Sequence, residues 1–132
     1  MKVNWSRSKY FNPRIDKRLA CRCCGLLAPS HEIVRLINEI REEFGDVILV
    51  NSGTRCTRYN TRCKGSARDS YHIAMPARGI LSEACDIRPA KRSQLSALHK
   101  ACLAVLDNHG GCKRYKSFIH VDVRPGRWRA RG

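Results

Sequence analysis

The chain has 132 residues, enough for one domain with its own core. Lys and Arg number 26 against 11 Asp and Glu, a net charge of +15. Hydrophobic residues make up 42% and charged residues 28%, a composition that excludes a disordered chain and a membrane-embedded one. No stretch approaches the roughly 18 apolar residues of a membrane span. The opening MKVNWSRSKYFNPR is basic and lacks the apolar centre of a secretory leader, so no signal peptide is expected. The charge favours anionic partners: nucleic acid, anionic lipid or bacterial wall polymer. Nucleic acid is the weakest of these, because no helix-turn-helix, paired zinc knuckle or ribonucleoprotein signature is present.

Residues 1–20 read as a basic, loop-like segment broken by Pro13. Cys21, Cys23 and Cys24 follow, three of eight cysteines for which disulfides, a metal site and buried thiols are all open. The cluster is too tight for a zinc ribbon, but a structural zinc on Cys21, Cys23 or Cys24 with a distant cysteine is one option. Ser30 is placed to cap a helix from His31 to Phe44, with Ile33, Ile37, Ile40 and Phe44 as its buried stripe and Gly45 closing it. Val47 to Val50 reads as a strand. Residues 53–83 are rich in Gly and polar residues, and a loop this long in a small domain is usually functional. Ala84 to Arg88 is a short strand before Pro89. Ser93 is the expected cap of a second helix, with Leu95, Leu98, Cys102 and Val105 buried and Gly110-Gly111 ending it. Phe118 to Val123 is the last strand. The expected fold is α+β, a small and mostly antiparallel sheet with helices packed on one face.

Alternation in the last strand puts Ile119, Val121 and Val123 on one face and Phe118, His120 and Asp122 on the other. An imidazole and a carboxylate side by side suit a metal ligand with a polar neighbour, or a hydrogen-bonded structural pair. Asp86, in the preceding strand, and His72, in the polar loop, supply a second carboxylate and a second imidazole. His72, Asp86 and His120 would together make a three-ligand zinc site with an open fourth position. His31, His99 and His109 are weaker candidates, set in or beside helices.

The string Val50-Asn51-Ser52-Gly53-Thr54-Arg55-Cys56 followed by Tyr59-Asn60 resembles the V-x-S-G-Y-R…N motif of the zinc D-Ala-D-Ala carboxypeptidase-type peptidases, family M15, subfamily A, whose fold is hedgehog-like. Ser70-Tyr71-His72 is similar to that family's S-x-H, Ala84-Cys85-Asp86-Ile87 to its A-x-D-I, Phe118 to Val123 to its F-[IV]-H-[IV]-D-[VT], and Arg127-Trp128 to its closing R-W. Phe11 and Cys21 to Gly25 resemble the cysteine-bearing lead-in of phage and bacterial members. The likeness runs in order from about residue 10 to residue 128. Three departures stand out. His72 and Asp86 are fourteen residues apart, against seven in the family, so an insertion near Met75 to Leu81 puts Ser82 where the motif has Gly. Thr54 replaces the motif's Tyr. Ser117 stands where some relatives carry a Glu base.

The resemblance implies one zinc peptidase-like domain over 1–132, with zinc on His72, Asp86 and His120. It implies Arg55 beside the substrate as the cation for the oxyanion, Tyr115 as an alternative donor, Ser70 as a supporting hydrogen-bond partner, and Asp122 as general base or as orienter of a ligand. It further implies a peptidoglycan stem peptide as substrate, cut at an amide involving a D-amino acid by carboxypeptidase or endopeptidase action. The expected protein is a monomeric, phage endolysin-like enzyme held in the host cytoplasm until released to the wall, or a bacterial envelope enzyme. Two alternatives remain: a non-catalytic, basic wall-binding module of the same fold, and a nucleic-acid-binding protein.

Overall fold

The structure, a computed structural model, describes residues 2–132. The helix α1 covers His31–Phe44, and both of its ends are chemically specified. Ser30 Oγ accepts a hydrogen bond from the Ile33 N–H at 3.2 Å, satisfying one of the donors a helix start leaves over. Gly45 closes the helix at φ 78°, the left-handed conformation glycine adopts most cheaply. Its inward stripe buries Ile33, Val34, Leu36, Ile37 and Ile40, whereas Phe44 is only half-buried.

Five strands form one sheet in the order β1-β2-β4-β3-β5: β1 Ile48–Ser52, β2 Ala84–Pro89, β3 Gly110–Arg114, β4 Ile119–Asp122 and β5 Arg127–Arg131. All neighbours are antiparallel except β3 and β5. Two further α-helices are the short α2 over Thr57–Arg62 and α3 over Leu95–Leu106. Helices α1 and α3 cover one face of the sheet. Ile48, Val50, Cys85, Ile87, Cys112, Ile119 and Val121 point into that layer, as the period of two requires. The opposite face of β2 and β4 carries Asp86, His120 and Asp122. No helix among the described residues is long and apolar enough to cross a membrane.

The α+β class and the mostly antiparallel sheet agree with the sequence reading, while several details differ. Gly110-Gly111 begins β3 rather than merely ending a helix, and β5 follows as a parallel edge strand. Helix α3 starts at Leu95 after a tight turn over Arg92–Gln94, so Ser93 is not its cap. Leu106, not Val105, completes its buried side. The N-terminal segment is loop apart from two short 3-10 turns, and it contributes Phe11 and Leu19 to the core.

The insertion between His72 and Asp86 folds back on itself. Met75 and Ile80 exchange backbone hydrogen bonds of 2.8 and 3.1 Å around the turn Pro76–Arg78. Both ends of the extra loop therefore meet each other, which is how a longer connection leaves its flanking residues in place. Ser82 is fully buried just beyond it, and its hydroxyl lies 3.2 Å from the hydroxyl of Thr54. Thr54 and Ser82, two of the positions at which this chain departs from the motifs it resembles, thus satisfy each other.

Candidate metal centre

His120 and Asp86 are cross-strand partners in β4 and β2, on the face turned away from the helices. His72 arrives from the loop after α2, fixed by backbone bonds from Arg55 N to His72 O and from Ala74 N to Arg55 O. Ser70 Oγ accepts the His72 N–H at 3.1 Å, which holds the loop at the point where the imidazole turns inward. The three sequence-predicted ligands therefore converge. Asp86 Oδ1 lies 3.1 Å from His72 Nε2 and 3.1 Å from His120 Nδ1. His72 and Asp86 are buried, and the His120 side chain is 13% exposed, leaving one side open to solvent.

The remote ring nitrogens decide what these contacts mean. His72 Nδ1 faces the carbonyl oxygen of Gly53 at 2.8 Å, and His120 Nε2 faces Asp122 Oδ2 at 2.7 Å. A carbonyl and an ionised carboxylate only accept, so both remote nitrogens carry the proton. In the neutral tautomers both lone pairs then point at the same oxygen of Asp86. That arrangement is repulsive unless a proton or a metal cation lies among the three atoms. Zinc bonds of about 2.0–2.1 Å in a tetrahedron put ligand atoms about 3.3 Å apart, close to the spacing seen. Ring N–H groups tied to a carbonyl and a carboxylate are also what orients histidine ligands in metal sites. The donor set and its support fit zinc.

Arginines complete the charge balance. Arg55 Nη2 donates to Asp86 Oδ2 at 3.2 Å, while its Nε and Nη1 reach Ser52 Oγ and Asn60 Oδ1 at 3.1 and 3.3 Å. The guanidinium thus steers the candidate ligand Asp86 from behind and still lines the cleft. Asp122 is fully buried and accepts from the backbone N–H, Nε and Nη2 of Arg124 as well as from His120. Burial opposes its charge, but the bonds from His120 and Arg124 outweigh it and hold its carboxyl well below the usual range. Of the two roles offered to Asp122 from sequence, this geometry fits the orienting one, since the carboxylate has no path to solvent. Asp86 is likewise held low: burial raises it, and the two imidazoles override that.

The centre opens into a cleft of about 440 Å³ walled by Ser70, Tyr71, Lys113, Tyr115, Arg124 and Trp128. Tyr115 stacks on Phe118 with ring centres 4.4 Å apart. Arg124, which the sequence reading did not single out, lies between the rings of Tyr71 and Trp128 at 4.6 and 4.2 Å. Its only sequence signal was its place two residues after Asp122. A larger cleft of about 560 Å³ between the N-terminal segment and α1 holds no comparable set of donors.

Comparison with known proteins gives one finding. The family profile described as Peptidase M15 matches residues 9–122. No curated protein and no solved structure matches the chain. The matched span contains every residue of the centre just described except Arg124 and Trp128.

Proposed function

The chain belongs to the peptidase M15 family, and we propose that within it this protein is a zinc-dependent peptidoglycan peptidase that hydrolyses a stem-peptide amide involving a D-amino acid. The observation that carries the reading is the orientation of His72 and His120. Each has its remote N–H tied down and its lone pair aimed at one oxygen of Asp86.

Zinc bound at these three residues would supply an acidified water near neutral pH and polarise the scissile carbonyl. The chain's own residues do the rest. His72 and His120 present fixed lone pairs because Gly53 and Asp122 hold their protons on the far side. Arg55 aims Asp86 through its hydrogen bond to Oδ2, and its place in the cleft wall brings positive charge to the developing oxyanion. Tyr115 lines the same wall and offers a hydroxyl donor. Asp69 is an exposed carboxylate in the lining of the same cleft, which makes it a candidate to relay the proton to the leaving amine. Ser70 acts through His72, whose backbone it anchors.

The net charge of +15 supports an anionic wall polymer as partner, since a cationic enzyme gains on-rate by electrostatic steering. A lysin-like role fits this charge: an enzyme kept in the host cytoplasm and then released to the wall. The test is mass spectrometry of muropeptides after incubating purified peptidoglycan with the zinc-loaded protein. Cleavage products differing by one amide bond within the stem are expected, and intact stems after full incubation would leave the wall-binding module as the better reading.

A further inference from the structure

Four cysteines from two distant segments meet at the start of α2. The sulfurs of Cys21, Cys23, Cys24 and Cys56 all lie within 4.8 Å of one another. Cys21 and Cys23 are 3.7 Å apart, and Cys23 and Cys56 are 3.3 Å apart. A zinc ion with four bonds of about 2.3 Å to sulfur spaces those sulfurs at about 3.8 Å, whereas a disulfide needs about 2.05 Å. The backbone also serves the sulfurs. Cys56 N–H points at Cys21 Sγ at 3.4 Å, and Tyr59 N–H at Cys56 Sγ at 3.3 Å. Residues 21–25 close into a tight turn, with Gly25 N–H on Cys21 O at 2.8 Å and Gly25 at φ 78°.

The other cysteines behave differently. Cys85, Cys102 and Cys112 are buried among apolar side chains and act as core residues, and Cys63 stands outside the cluster. Cys23 and Cys24 are exposed, so core packing does not account for them.

We propose that Cys21, Cys23, Cys24 and Cys56 form a tetrathiolate site for a structural zinc ion, separate from the centre at His72, Asp86 and His120. Each ligating thiol gives its proton to solvent, so four thiols and Zn²⁺ leave a centre of charge 2− and no sulfur changes oxidation state. Thiolate donors in a tetrahedron select zinc or iron over hard cations.

The site has a structural purpose. Cys56 directly follows Arg55, which holds Asp86, and lies three residues after Gly53, whose carbonyl holds His72. Gly53 and Thr54 are already tied to Arg18 and Leu19 by backbone bonds of 2.9 Å each. A metal joining Cys56 to Cys21, Cys23 and Cys24 locks the same two segments a second time. It thereby fixes the backbone that aims both catalytic ligands.

The test is metal analysis of the full-length protein, purified with reductant and without chelator. Two zinc ions per chain are expected. His120→Ala should retain one, and the double variant Cys23→Ser/Cys24→Ser should retain the other. Should the double variant fail to fold, His120→Ala loaded with cobalt reads the site directly, because only sulfur ligands give a sulfur-to-cobalt charge-transfer band. A single zinc that disappears in His120→Ala would overturn the proposal. So would iron in place of zinc, or a cystine mapped to two of Cys21, Cys23, Cys24 and Cys56 in a second preparation made without reductant. The catalytic reading stands or falls separately, on peptidoglycan cleavage.

Discussion

Gly111 and Asp122 sit opposite each other across β3 and β4, and the Asp122 carboxylate fills the space where any other residue would put a side chain. A Cβ on Gly111 would collide with both carboxylate oxygens. The glycine is therefore part of the device that brings Asp122 under His120. Gly111→Ala should destabilise the fold by about 1–3 kcal/mol, the usual cost of overpacking. It should also weaken zinc binding, because Asp122 must leave His120 Nε2. Denaturant unfolding with and without zinc separates the two effects: the loss should be larger for the zinc-loaded protein.

Asp122→Asn removes a charge but not the shape. An amide oxygen can still accept from His120, yet it no longer matches the Arg124 fork. Zinc affinity or turnover should fall about 10–100-fold, the range for residues that support metal ligands. Zinc titration against a chromophoric chelator and steady-state cleavage give the two numbers. Wild-type values for both would remove Asp122 from the account.

Arg55→Ala should lower zinc affinity by roughly tenfold or more, because Asp86 Oδ2, Ser52 and Asn60 lose their common donor at once. The same chelator competition checks it. Unchanged affinity with lost cleavage would assign Arg55 to the oxyanion alone.

The parts of this architecture that were legible in the sequence are those with a strict period. Helix α1 declares itself through Ser30, its apolar stripe and Gly45, and β4 through the alternation of Ile119 and Val121 with His120 and Asp122. The three converging ligands could be named because each lies in a recognisable string. What stayed hidden depends on partners far along the chain. Strand β3 opens on two glycines that signal a helix end, and the reason for Gly111 is a carboxylate on the neighbouring strand. Strand β5 is an exposed, arginine-rich edge with little apolar signal. The fourth cysteine of the cluster could not be chosen, since Cys56 is 35 residues from Cys21 and only the 18–19 to 53–54 pairing brings them together. Arg124 was missed because its aromatic neighbours come from two other segments.

In the metal-free protein the stability that His120 contributes should be lost with rising pH. Burial works to lower the His120 pKa, but the hydrogen bonds to Asp122 and then Asp86 override it and raise it to about 9 from 6.5. A group raised on folding stabilises fully below its unfolded value, and that contribution disappears as pH climbs through the folded one. The His120 contribution in chelator-stripped protein should therefore fade between about pH 6.5 and pH 9, read as the difference in urea midpoint between the wild type and His120→Gln. Zinc-loaded protein should lack this decline, since the metal takes the place of the proton. Asp86 and Asp122, both lowered, contribute stability that is lost only as pH falls below the ordinary carboxylate range.

The most direct measurement pairs muropeptide mass spectrometry with zinc analysis for the wild-type protein and His120→Ala. The wild type should bind zinc at this centre and cut the stem peptide, and the variant should do neither while remaining folded. Stem cleavage by a folded His120→Ala protein would contradict the assignment of His120, with His72 and Asp86, as the grip on the catalytic metal.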